Sequence, residues 1–143
     1  MAKFEVDDSV LTGLEKLTPA VAREIRRKCV IAGAKVVEKE MKNTIEARKH
    51  VVNKWMRDSV GMGVLHEDID RVWVEVYPQG TDPRGVENEM KNEIINRGYY
   101  NKNTGRKIRR DPYVKELKKK IEPKVTAVMQ YQYDLCMKEI NGG

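Results

Sequence analysis

Cysteine and histidine are scarce in this 143-residue chain, with two of each, and aromatic residues make up only 6% of it. Cys29 and Cys136 stand about a hundred residues apart inside apolar patterns, which excludes a dense disulfide framework and a cysteine-rich metal knuckle. Both read as small buried hydrophobes. His50 and His66 form no ligand pair at helical spacing, and no glycine-rich turn precedes a helix to grip a nucleotide, since Gly61 and Gly63 alternate with Met62 inside a strand pattern. No metal and no cofactor is expected, nor an enzyme. Apolar runs are short of the roughly 18 residues that a membrane span needs. The first ten residues carry Glu5, Asp7 and Asp8 where a signal peptide would be basic and then apolar, so the chain is expected to stay in the compartment where it is made.

What is present is charge and aliphatic pattern. Charged residues make up 35% and hydrophobic ones 40%, a mixture that folds around one core with a strongly solvated surface, and the length suits a single domain over 1–143. The net charge of +6 is local. Residues 97–120 hold ten Lys or Arg against Asp111 and Glu116, whereas the rest of the chain has eighteen basic and twenty acidic residues. Any polyanionic partner would meet that one segment.

Hydrophobic periodicity gives the elements. Residues 3–7 alternate with Phe4 and Val6 on one side, as in a half-buried strand. Thr18-Pro19 supplies an N-cap with proline at the first helical position, opening a long helix predicted over 19–50, weakened at Gly33 by roughly 1 kcal/mol relative to alanine. Val21, Ile25, Cys29, Ala32 and Val36 make one apolar stripe, and Val30, Ala34, Val37, Met41 and Ile45 another on nearly the opposite side. A helix so patterned is covered from two directions and is central to the fold.

Two strands follow. In 57–64, Val60, Met62 and Val64 share a face, and in 71–77 so do Val72, Val74 and Val76; the acidic stretch 65–70 between them predicts an antiparallel hairpin. Burying these six side chains contributes about 1.5 to 3 kcal/mol each before ordering entropy is counted. Glu67, Asp68 and Asp70 read as solvated turn residues. Residues 78–85 have loop chemistry, and 86–96 place Val86, Met90 and Ile94 at helical spacing, although Ile94-Ile95 before Arg97-Gly98 also fits the end of a strand. Residues 99–110 are polar, basic and aperiodic, an exposed loop. Asp111-Pro112 then opens a terminal amphipathic helix whose stripe runs Val114, Leu117, Ile121, Val125, Val128, Gln132, Leu135 and Ile140, flanked by Met129 and Cys136, with a kink or restart at Pro123. The fold class is α+β: a long central helix on a small antiparallel sheet, made of a hairpin plus the N-terminal strand, with a C-terminal amphipathic helix. Val30, Val37, Met41, Val72, Val74 and Val76 are the candidates for core or oligomer packing. Arg106, Lys107, Arg109 and Arg110 are the candidate contacts for nucleic acid or an acidic partner, with Tyr99 and Tyr100 beside them to stack or donate hydrogen bonds.

This order of elements, with three short motifs, resembles the head-tail joining, or tail-completion, proteins of tailed phages, also called minor tail components. Trp55-Met56-Arg57-Asp58-Ser59-Val60 is similar to the family's Leu-Arg-x-Ser-Ile opening of the hairpin. Glu93-Ile94-Ile95-Asn96-Arg97-Gly98-Tyr99 lies where members have an apolar pair, a polar residue, an aromatic and glycine, and Asp111-Pro112-Tyr113-Val114 is similar to their Pro-Phe-Leu entry to the last helix. Two places depart, with Asn53-Lys54 and Arg97-Gly98-Tyr99 where members have Thr-Gly and Tyr-Gly-Thr. The resemblance implies a virion protein of the neck or tail, assembled in the bacterial cytoplasm. It implies a homo-oligomer, generally a hexameric ring, that meets the head connector or adaptor and the tail tube or tail terminator and lets the genome pass; the basic segment suits a nonspecific contact with phage DNA, and no membrane partner is expected. A tail terminator or another minor tail component is the nearest alternative. Outside that family, the basic segment fits a small nucleic-acid-binding protein, and the terminal helix fits a host adaptor that docks a partner.

Overall fold

A computed structural model describes residues 2–48, 55–68 and 71–142. Strand β1 (Phe4–Asp7) leads through a 3-10 turn (Leu14–Lys16) into helix α1 (Pro19–Ala47). A helical turn, α2 (Trp55–Asp58), precedes strands β2 (Val60–Met62), β3 (His66–Glu67) and β4 (Val72–Pro78). Helix α3 (Asn88–Arg97), a two-stranded ribbon of β5 (Tyr99–Tyr100) and β6 (Lys107–Ile108), and helix α4 (Tyr113–Gly142) complete the chain.

The alternating valines put β4 in the middle of the sheet. On one side it pairs antiparallel with β1, Phe4 opposite Val76 and Val6 opposite Val74, and on the other with β2 and β3. Val72, Val74 and Val76 turn one face onto α1, and all three are buried. The hairpin expected over 57–64 and 71–77 is shorter and irregular. Arg57 and Asp58 belong to the helical turn, and the register shifts by one between Met62 opposite Val76 and His66 opposite Trp73. That extra residue is a bulge, and it takes Val64 off the core face to 77% exposure. Beyond the bulge His66 lands on the outer face, stacked on Trp73 with ring centroids 5.1 Å apart, while the Arg71 guanidinium covers the Trp73 ring at 4.5 Å. Glu67 is not a free turn residue but pairs with Arg27 of α1 at 2.5 Å; Asp70 lies outside the described residues.

Helix α1 starts as its sequence requires: the Thr18 hydroxyl accepts the Val21 amide at 3.4 Å and Pro19 needs no partner. It ends at Ala47 rather than residue 50, with the Arg48 amide donating to the Thr44 carbonyl; His50 lies outside the described residues. The helix is covered from two directions, by the sheet and by α4. Its buried faces are Ala22, Ile25, Cys29 and Gly33 on one side and Val30, Ala34, Val37, Met41 and Ile45 on the other. At 100° per residue these lie about 120° apart, not opposite, so Val21 falls on the flank and is exposed, and Ala32 and Val36 are only half-buried. Gly33 is where α4 crosses most closely. A Cβ there would lie 2.8 Å from Met129 Cγ and 3.2 Å from Val125 Cγ1, so the glycine that weakens the isolated helix permits the crossing.

Helix α4 runs through Pro123 as one element of 30 residues without restarting. Pro123 and Lys119, whose carbonyl loses its intrahelical donor, are both exposed, so water can satisfy that oxygen. The buried stripe is Tyr113, Val114, Leu117, Ile121, Val125, Met129 and Cys136. Met129 and Cys136, expected on its flank, belong to the buried stripe itself. Leu135, one residue from Cys136 and therefore 100° away, is exposed, as is Ile140. Cys29 and Cys136 are free and buried; burial, with Cys136 close by, pushes the Cys29 thiol up to about 12.

Candidate functional site at the basic end

Residues 99–110 form a β-ribbon rather than an aperiodic loop. Tyr99 pairs with Ile108 and Tyr100 with Lys107, and the turn is built by side chains: Asn101 Oδ1 accepts the amides of Asn103 and Thr104, and the Asn101 amide donates to the Arg106 carbonyl at 2.8 Å. The aperiodic reading failed because each strand is two residues long, too short to display a period of two.

The ribbon is fixed at its root. Gly98, at φ +84°, ends α3, and a Cβ on it would stand 3.2 Å from the Arg110 backbone nitrogen, so only glycine lets the two strands of chain pass so closely. The Asp111 amide donates to the Ile95 carbonyl at 2.8 Å, and Val114 donates to Asn96 Oδ1 at 3.0 Å. The Asp111 carboxylate pairs with Arg48 of α1 at 2.6 Å; Arg48 also reaches Glu116 at 2.5 Å, and Glu116 before Asp111 holds its guanidinium above the ordinary arginine range. Exposed pairs of this kind contribute little stability, but they set where α4 leaves the ribbon.

Helix α3 is the part that periodicity misread. Val86, Met90 and Ile94 were the expected buried face, yet Met90 is exposed and the buried positions are Asn88 and Asn92. Asn88 donates to the Gln79 carbonyl at 2.9 Å, Asn92 donates to the Ala2 carbonyl at 2.8 Å and accepts the Tyr113 hydroxyl, and Asn96 donates to the Asn92 carbonyl at 2.8 Å. Three asparagines at four-residue spacing were the signal in the sequence. Asn88 and Asn92 are buried, and Asn96 half-buried, because their side chains satisfy backbone or hydroxyl groups.

Arg106, Lys107, Arg109 and Arg110 are all exposed on this ribbon and its exit, with Tyr100 59% exposed beside them. None of the four forms an ion pair among the described residues. The structure therefore brings the candidate cations together as one unneutralised arm. Val30, Val37, Met41, Val72, Val74 and Val76 lie elsewhere, each at most 1% exposed in the core beneath the sheet, where they pack within the subunit. Among the described residues no group of three His, Cys, Asp or Glu stands together to hold a metal ion, and no helix is long and apolar enough to cross a membrane.

Two long antiparallel helices laid on a small antiparallel sheet, with a cationic ribbon projecting from one end, define a small α+β structural module. The family model described as "Bacteriophage HK97-gp10, putative tail-component" matches residues 8–81, just over half of the chain. The chain belongs to this HK97-gp10-like family of phage tail components. The match spans α1, the bulged hairpin and the central strand, which supply much of the core, while β1 and α4 lie outside it. No curated protein and no solved structure matches significantly.

Proposed function

We propose that the protein is a non-catalytic subunit of a ring of about six copies at the head-tail interface of a tailed phage or prophage, where it joins or completes the tail and surrounds the passing DNA. The observation that carries this reading is the family match over residues 8–81. Two features of the molecule support it. The apolar faces of α1 are covered within one subunit, so the chain can fold before it assembles, while Tyr131 and Leu135, one turn apart on α4, are exposed and available to a neighbour. Head-to-tail contacts between such subunits close into a ring when the rotation between copies divides a full turn.

The basic ribbon is the natural meeting point with a polyanion, either the DNA in the channel or an acidic surface of the connector or tail tube. Its exposed unpaired cations also fit a nucleic-acid-binding protein outside a virion. Interrupting the gene in the parent phage separates the two. Filled heads and detached tails that fail to join support the ring; normal infectious particles lacking the polypeptide refute it.

A further inference from the structure

Beside the exposed arm there is a second feature that the sequence reading did not single out, a cleft of about 340 Å³ at the root of the ribbon. Arg97 at the end of α3, Arg110 at the exit of β6 and Lys115 in the first turn of α4 all line it. Three cations thus converge from three separate segments, and none of them has an ion-pair partner among the described residues. Several surface arginines elsewhere are neutralised, Arg27 by Glu67, Arg48 by Asp111 and Glu116, and Arg71 by Glu5 and Asp7. The one carboxylate in the cleft, Glu93, uses its Oε2 to accept the Ala2 amide at 2.9 Å, which ties down the N-terminal strand. The lining therefore keeps a net positive charge.

We infer that this cleft seats a phosphate group of a nucleic-acid backbone. The inference rests on the reading that the basic end meets a polyanion, though not on the ring. Arginine presents a planar fork that matches the oxygens of a phosphate, and lysine adds a point charge. The three backbones are fixed relative to one another by the Gly98 to Arg110 approach, the Asp111 to Ile95 hydrogen bond and the Asn96 cap on Val114, so the seat exists before its ligand arrives. Nucleic acid fits better than an acidic peptide because the cations do not end at the cleft. Arg106, Lys107 and Arg109 continue along the ribbon with Tyr99 and Tyr100, a line suited to consecutive phosphates and to base or sugar contact.

The test compares the full-length protein with the R97Q/K115Q double variant, neither position lying in the ribbon or the core, by anisotropy titration of a labelled duplex across 50 to 200 mM salt. Loss of that one phosphate contact lowers the slope of log affinity against log salt by about 0.9 and weakens binding at 50 mM, with circular dichroism unchanged. K115Q alone, expected to lower the slope by a smaller amount because Arg97 and Arg110 remain, guards against misfolding of the double variant. An unchanged slope in both variants overturns the inference. So does a variant that loses binding to a labelled polyglutamate peptide but keeps duplex binding, which assigns the cleft to an acidic protein. Calorimetry with inorganic phosphate separates the remaining source: phosphate binding without duplex binding overturns the nucleic-acid assignment. Because these assays use the purified protein, their failure leaves the joining phenotype of the interrupted gene untouched, and the reverse also holds.

Discussion

The Tyr113 hydroxyl donates to Asn92 Oδ1 in the buried space between α4 and α3, joining the first turn of the terminal helix to the helix that precedes the basic ribbon. Asn92 passes the connection on to the Ala2 carbonyl, so one asparagine links three segments that are distant in sequence. Burial pushes the Tyr113 hydroxyl well above the ordinary tyrosine range, which keeps it a donor at any physiological pH.

Replacing Asn92 by leucine removes partners from both the Tyr113 hydroxyl and the Ala2 carbonyl. A buried group left unsatisfied costs about 1 to 3 kcal/mol. Urea unfolding of Asn92→Leu is expected to show a loss in that range or somewhat above it, and Tyr113→Phe a smaller one. Parent-like midpoints in both variants would mean that the network is not closed in solution.

Val74→Asp or Val37→Asp is expected to unfold the chain. Both side chains are at most 1% exposed, and an unpaired carboxylate buried there costs several kcal/mol against a total stability of about 5 to 15. Expression in the insoluble fraction, or loss of a cooperative melt, is the expected result. A soluble variant that melts like its parent would contradict the packing of β4 on α1.

Asp82 ties the loop after β4 to α3. Its carboxylate accepts Lys91 Nζ at 2.5 Å and the amides of Val86 and Arg84 at 3.0 and 2.9 Å, and these bonds, Lys91 first, hold it below its ordinary value of 3.8. A carboxyl whose pKa is lower folded than unfolded contributes stability that is fully present above 3.8 and is lost as the pH falls through the folded value. The gap in melting temperature between the parent and Asp82→Asn should therefore be widest at neutral pH and close below pH 4. A gap independent of pH would assign the effect to packing instead.

Changing Arg106, Lys107, Arg109 and Arg110 together to serine removes four exposed cations without touching the core. If each meets one phosphate, the salt slope of duplex binding flattens by about 3.6, the dependence that weakens the parent about a hundredfold between 50 and 200 mM. Undiminished binding with the parent slope would move the contact to another surface.

The parts legible in the sequence are those governed by local rules. Thr18-Pro19 announced the start of α1, and the valines at 72, 74 and 76 announced the central strand, because capping and alternation act over a few residues. What was hidden depends on distant partners. The bulge that exposes Val64 follows from how β2 and β3 share β4, and the sequence around Gly63 reads the same in either register. The α4 stripe was offset toward Met129 and Cys136 and away from Val128 and Leu135, and the close crossing that seats Val125 and Met129 against Gly33 depends on a partner far away in sequence. Asn92 looks like a solvent residue until Ala2 and Tyr113 are placed beside it. The cations of the ribbon could be named in advance, but their convergence with Arg97 and Lys115 on one cleft required the fold.

Imaging of particles from the parent phage by cryo-electron microscopy tests the central claim most directly. The account predicts a closed ring of about six copies between the head connector and the tail, with α1 and α4 resolvable as paired helices in each subunit and the basic ribbon turned toward a polyanionic surface. Density for this polypeptide at another station of the particle, or a complete neck built without it, would contradict that claim.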